Sequence, residues 1–172
     1  KKEDIICSTG NQKKYLVIGA GPSGMEAARL LAMQGHQVEI WEKDKDFGGT
    51  VRVAALAYEP NGKLIDYLKI SLQELRVKTI LNKLATPELI KDFCPDHVIV
   101  ATGAKREAPD IPGKDHKNVF DGEQLRGLLF GSDKNAIKKL SLFQQLILWF
   151  GRRSQLLRNI SALRLLSKVW MP

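Results

Sequence analysis

The junction at residues 15–24, Tyr-Leu-Val-Ile followed by Gly-Ala-Gly-Pro-Ser-Gly, restricts the fold more than any other part of this chain. An apolar run that ends on glycine is the pattern of a buried parallel strand entering a tight turn. From Pro22 to about Met33, alanines and leucines recur at helical spacing, and Gly35 supplies a helix stop. Residues 37–41 (Gln-Val-Glu-Ile-Trp) then alternate as a second strand and run into Glu42. Strand, helix and strand within residues 15–42 make a βαβ unit, with parallel strands and a right-handed crossover.

The three glycines have separate roles in such a unit. Gly19 allows the tight turn out of the strand, Gly21 lets the main chain approach a pyrophosphate, and Gly24 permits close contact between helix and sheet. Pro22 and Ser23 open the helix, whose free amides and partial positive charge face the phosphates. Glu42 lies 18 residues beyond Gly24, at the end of the second strand, where a carboxylate can accept hydrogen bonds from ribose hydroxyls. Its charge disfavours a 2′-phosphate, although Lys43 and Lys45 leave an opening for one. The unit predicts an adenine-dinucleotide site. FAD and NAD share all these features, and a glycine-rich turn that binds nothing is the structural alternative.

Further along, residues 43–62 read as a long irregular segment containing the pair Gly48 and Gly49. A helix is expected at about 63–75, a third strand at 77–81, and a short helix at 86–93 with Thr86 as its cap and Pro87 at its first position. A fourth strand at 97–101 is stopped by Thr102, Gly103 and Ala104, and residues 106–113 form an extended loop. From Asp121 onward the pattern is helical: a short helix within 122–131, a longer one at 133–149 and another at 152–169, with a corner at Gly151. The expected fold is α/β, a three-layer Rossmann-like FAD/NAD(P)-binding fold with a parallel sheet of about four strands over residues 13–113. Residues 114–172 would form a basic helical extension.

Composition bounds the remaining possibilities. With 172 residues, 44% of them hydrophobic and 27% charged, the chain suits one folded domain plus an appendage and not a disordered one. It has no run of about 18 uncharged apolar residues and no secretory leader, so neither a spanning helix nor export is expected. Two cysteines, Cys7 and Cys94, make no disulfide framework, and reduced thiols in the cytoplasm are the simpler reading. Cys94, between Phe93 and Pro95, reads as packing. Of the net charge of +8, residues 133–172 carry +7, from eight Lys or Arg against one Asp. The tail is electrostatically a separate object.

Two long stretches, "VIGAGPSGMEAARLLAMQGHQVEIWEKDKDFGGTVRVAA" and "HVIVATGAKREAPDIPG", together resemble the flavin-binding domain of two-dinucleotide flavoproteins. More narrowly, residues 13–113 are similar to the C-terminal region of NADH:flavin oxidoreductases related to 2,4-dienoyl-CoA reductase and trimethylamine dehydrogenase. The resemblance implies that Gly19, Gly21, Pro22, Ser23 and Gly24 surround the FAD pyrophosphate and that Glu42, with Lys43 beside it, meets the adenosine ribose. It implies that Gly49 and Thr50 lie near ribose and pyrophosphate, although relatives often have Gln where this chain has Thr50. Leu84 matches a position whose backbone meets adenine, with plain core as the alternative. Ala101, Thr102 and Gly103 match a turn beside the diphosphate. Arg52 could neutralise a phosphate or be a solvated loop residue, and no chemistry falls to His36, His97 or His116.

The resemblance also implies NAD(P)H in a further domain that this chain lacks, since no second GxGxxG occurs, and no counterpart of the relatives' barrel or iron–sulfur cysteines. Cys7 is not read as a cluster ligand. The chain therefore reads as a piece of a longer flavoenzyme, with the remainder of that enzyme as its partner and no catalytic side chain or metal ligand of its own. The apolar positions of the tail (Leu140, Phe143, Leu146, Ile147 and Phe150; then Leu156, Leu157, Ile160, Leu163, Leu166 and Trp170) suit a face that covers the parent enzyme. An exposed tail predicts homo-oligomers. A basic amphipathic hairpin can also lie on an anionic membrane, but membrane contact is not expected, and nucleic acid suits the tail less. Two other functions are compatible: an NAD(H)-binding oxidoreductase module, and a nucleotide-bound docking module acting through the basic tail.

Overall fold

A computed structural model describes residues 11–104, 109–116, 118–130 and 133–153. The chain divides into two compact units, Lys1–Gly103 and Ala104–Pro172. In the first, the elements follow as β1 (Lys14–Ile18), α1 (Pro22–Met33), β2 (Gln37–Trp41), α2 (Val51–Ala57), α3 (Pro60–Glu74), β3 (Lys78–Ile80), α4 (Pro87–Phe93) and β4 (His97–Val100). The strands form one sheet in the order β3-β2-β1-β4, and every neighbouring pair is parallel. The chain moves outward from β1 through β2 to β3, then returns to the other side of β1. That reversal is the switch point at which open α/β sheets place their ligands.

Alternation along the strands divides the core in two. Val17, Val38 and Ile40 face α1 and α3, where they meet Met25, Ala28, Leu68 and Leu72. Leu16 and Trp41 point to the opposite face and are also fully enclosed. There Phe93 of α4 meets the Trp41 ring edge-on, with centroids 5.3 Å apart. Trp41 also donates its indole N–H to Glu39, 2.6 Å away, and Lys78 pairs with the other oxygen of that buried carboxylate at 3.0 Å. At the sheet's margin Val98 and Val100 of β4 stay exposed.

The expected strands and α1 form where the pattern puts them, and Thr86 does cap α4 by accepting the Leu89 amide. The segment at 43–62 is less irregular than its glycines and charges suggest. It contains α2 and the first turn of α3, because Val51–Ala57 can pack on α3 once Gly48 and Gly49 have turned the chain. Cys94 is not packing. It is an exposed residue in the left-handed region at the end of α4, and its thiol donates to the Lys91 carbonyl.

The second unit contains α5 (Gly122–Phe130), α6 (Lys134–Lys138) and α7 (Leu142–Arg153). Leu128, Ala136, Leu140 and Leu148 form its core, with Phe120 and Ile137 against them. The single helix expected at 133–149 is two. Asp133 caps α6 by accepting the Asn135 and Ala136 amides. Ser141 and Gln144 then exchange side-chain and backbone hydrogen bonds, a reciprocal cap that starts α7 afresh. Gly151 lies within α7 and not at a corner. The helix expected at 152–169 falls, after Arg153, outside the described residues. Of the residues whose spacing groups them on one side, Leu140 is buried while Phe143, Leu146 and Phe150 are exposed, and Leu148 is buried as well.

Candidate functional site

Every residue expected at the site emerges from the C-terminal edge of the parallel sheet. Gly19 to Gly24 follow β1, Glu42 to Thr50 follow β2, Leu84 follows β3, and Ala101 to Gly103 follow β4. The ladder extends past the strand ends and ties these loops together. The Gly19 amide donates to Trp41, the Glu42 amide to Ile80 and the Ala101 amide to Ile18, all at 2.8–2.9 Å.

At the centre, the glycine-rich turn is constrained by contact on one side and open on the other. Gly19 has φ of +106°, and a methyl group there would lie 2.4 Å from the Ala101 carbonyl oxygen. A methyl at Gly24 would lie 2.0 Å from the Gly19 carbonyl oxygen. Gly21, at the cap of α1, has ordinary φ of −72° and ψ of 171°. A methyl there would meet nothing within 4 Å. Two glycines are therefore required by the fold, while the third leaves space over the free amides of a 12-residue helix.

The second glycine pair closes onto the first. Gly48 donates to the Ala20 carbonyl at 2.7 Å, and Gly49 would place a methyl 3.5 Å from the Gly21 Cα. Thr50 is exposed at the start of α2 and makes no side-chain cap, so its hydroxyl is not used by the helix.

Glu42 has a role that its spacing did not reveal. It is 8% exposed, one carboxylate oxygen accepts the Ala20 amide at 2.6 Å, and the other accepts the Asp44 amide at 2.8 Å. It thus pins the glycine-rich turn to the end of β2. A carboxylate accepts about four hydrogen bonds, so capacity for hydroxyl donors remains. Lys43 and Lys45 are exposed. Leu84 is 64% exposed, which excludes the core alternative, and the preceding Lys83 is held by its amide on the Glu42 carbonyl and by its ammonium 3.4 Å from the Trp41 ring centroid.

Arg52 lies on α2 with Nη2 3.6 Å from Asp46, so it is directed at that carboxylate. Asp46 joins the loop to two helices, since Lys69 of α3 also reaches it at 3.2 Å. No sequence signal marks this hub within the run of alternating charges at 43–46. Burial pulls the Asp46 carboxyl upward, but the Lys69 hydrogen bond, the Phe47 amide and the Lys69 and Arg52 charges outweigh it and hold the pKa below its ordinary value. A carboxylate depressed in the folded state stabilises above its unfolded pKa of about 3.9 and loses that contribution as pH falls through the folded value. Asp46→Asn should therefore melt lower than the parent chain above about pH 4 and converge with it in stronger acid. Thermal melts across this range check the sign. The deficit will be small, because solvent screens a partly exposed pair.

His36 and His97 lie on either side of the Tyr15 ring, with centroids 5.0 and 4.9 Å away, at the opposite end of the sheet from these loops. Among the described residues no group of His, Cys, Asp and Glu is placed to hold a metal.

Comparison with known proteins agrees with this fold. Residues 17–70 match the NAD(P)-binding Rossmann-like domain family. Over 121 residues the chain is 37% identical to a bilirubin reductase of Mediterraneibacter gnavus (strain CC55_001C), a match spanning 69% of this chain and 19% of the relative. It is 36% identical over 113 residues to an NADH oxidase of Thermoanaerobacter brockii, spanning 63% and 17%. Among solved structures, a complex of 2-naphthoyl-CoA reductase with 2-naphthoyl-CoA superposes with a TM-score of 0.67 at 40% identity, over 75% of this chain and 19% of that one.

Over most of its length the nucleotide-binding unit is similar to flavoenzymes of 2,4-dienoyl-CoA reductase type. The relatives are oxidoreductases by name, reductases and an NADH oxidase among them. The chain spans under a fifth of the length of the curated relatives named here. Among its described residues, no helix is long and apolar enough to cross a membrane.

Proposed function

We propose that this chain holds the adenosine-diphosphate half of FAD within a longer NAD(P)H-dependent flavin oxidoreductase. The observation that carries this reading is the open space at Gly21, bounded by the N-terminus of α1, Gly49 and the Glu42-braced turn. A Cβ would enter that space, and so would a pyrophosphate approaching the main chain. The Ser23 and Gly24 amides would donate to phosphate oxygens, and the positive end of α1 would offset their charge. Glu42 would accept from ribose hydroxyls with its remaining lone pairs, and its negative charge would reject a 2′-phosphate. Leu84 offers exposed apolar surface beyond Glu42 for adenine, while Thr102 and Gly103 bound the diphosphate from β4.

FAD supplies hydride acceptance and electron transfer when bound. The chain's own residues bind, orient and neutralise, and none of them has to move a proton. The nicotinamide nucleotide and the substrate fall to the rest of the longer protein, which is the expected partner. A reducing cytoplasm suits the exposed Cys94 thiol.

The test is the absorbance spectrum and released-nucleotide mass of the purified chain, repeated after soaking with FAD, NAD and ADP. FAD and ADP should bind, and Glu42→Gln should weaken both by about tenfold or more, since the amide is a poorer acceptor for two backbone N–H groups and ribose. Binding of NAD without FAD would replace this reading with a nicotinamide module. Binding of none of them would leave only a fold.

A further inference from the structure

Helix α7 has two apolar faces, and among the described residues the unit's core cluster takes up one of them. Leu148 turns inward, 9% exposed, among Leu128, Ala136 and Leu140. On the other side Leu142, Phe143, Leu146, Trp149 and Phe150 are 85, 67, 65, 60 and 61% exposed. At about 100° per residue these five fall within an arc of about 120°. Leu148 fixes the rotation of the helix, so this stripe cannot turn inward without opening the unit's core. Such a continuous apolar surface calls for a second layer.

Charge indicates what that layer is. From Lys134 to Pro172 there are eight Lys or Arg and no Asp or Glu. Lys138 and Lys139 are exposed just before α7, and Arg153 is exposed at its end, its guanidinium 5.9 Å from the Trp149 ring centroid. A second copy would set these cations against their equals, which opposes self-pairing. Nucleic acid would meet a stripe whose centre carries no cation. An anionic bilayer satisfies both halves. Acyl chains take up Leu, Phe and Trp, and headgroup phosphates take up the cations at each end.

We propose that α7 lies flat on an anionic lipid surface through Leu142, Phe143, Leu146, Trp149 and Phe150. Its 12 residues span only about 18 Å against about 30 Å of hydrocarbon, so it rests on the bilayer and does not cross it. This names a different occupant from the parent enzyme expected to be covered by the tail, for a stripe that shares Phe143, Leu146 and Phe150 with the expected face.

The 172-residue chain is sedimented with vesicles of phosphatidylcholine alone and with vesicles of phosphatidylcholine and phosphatidylglycerol in equal amounts, at low and high salt. Binding to the anionic vesicles should be tighter by at least about tenfold and should weaken with salt. The double variant L146Q/F150Q should lose it with an unchanged circular dichroism spectrum, both positions being exposed. K138E/K139E should lower anionic binding by about tenfold and leave the weak neutral binding alone.

No pelleting with either vesicle, equal pelleting with both, or full binding by L146Q/F150Q would overturn the proposal. The last result would mean that charge alone attracts the tail. A dimer in sedimentation equilibrium that L146Q/F150Q dissolves, without vesicle binding, would overturn it in favour of a second copy. Retention only on an acidic protein surface would overturn it in favour of a protein partner.

Discussion

Replacing Gly21 by valine should leave the fold standing and remove dinucleotide binding. The backbone at Gly21, with φ of −72° and ψ of 171°, is extended and suits a β-branched residue. A Cβ at that position meets nothing within 4 Å, so the folded chain has room for it. Valine is a poorer cap than glycine, so this end of α1 loses on the order of 1 kcal/mol, well short of unfolding the unit. The same added volume occupies the space in which a pyrophosphate would reach the helix amides. Affinity for FAD and for ADP should fall on the order of a hundredfold, read by calorimetric titration, while the urea midpoint drops only slightly. If valine left both affinities within about threefold of the parent, the pyrophosphate would not lie over Gly21 and the binding reading would fail.

Gly24→Ala should have the opposite signature. Its added methyl would lie 2.0 Å from the Gly19 carbonyl oxygen and 3.2 Å from the Ala101 side chain. The first contact is with backbone held by the Gly19–Trp41 hydrogen bond, so relief requires moving α1 away from the sheet. Overpacking against backbone of this kind costs on the order of 3 kcal/mol, a large share of the roughly 5–15 kcal/mol that holds a domain together. The urea midpoint should drop sharply, and nucleotide binding should fall only as far as the folded population does. A variant as stable as the parent would show that α1 is less tightly seated on β1 than this geometry requires. Together the two substitutions separate the glycine that binding needs from a glycine that folding needs, although both belong to one motif.

Much of the site was legible before any coordinates, for a definite reason. Residues 15–42 obey short-range rules: apolar runs, helical recurrence, glycines at the turn and a carboxylate at the strand's end. Parallel strands joined by a short crossover can pair in essentially one way, so the positions of Gly19, Gly21, Gly24 and Glu42 relative to one another followed from their order. Thr86 as a cap with Pro87 behind it was similarly local.

What near spacing does not reveal came from partners distant in sequence or from competing local bonds. Glu42 was expected only as a ribose acceptor, and its hold on Ala20 depends on a residue 22 positions away. Asp46 gains meaning only from Lys69 on α3 and Arg52 on α2. The helix expected at 133–149 was broken by two caps, at Asp133 and Ser141, that compete with continuous helical pairing.

By itself, then, the sequence determined the parallel βαβ frame, the glycine turn at its switch point and the charge separation of the basic tail. Those depend on residue type and near spacing. Only the tertiary structure decided which glycine is open and which is locked, which oxygens of Glu42 are already engaged, and which face of α7 is left to solvent. Each of these is set by what lies opposite a side chain across the fold, and apolar spacing along a helix says that a face is apolar without saying whether the core or the outside will take it.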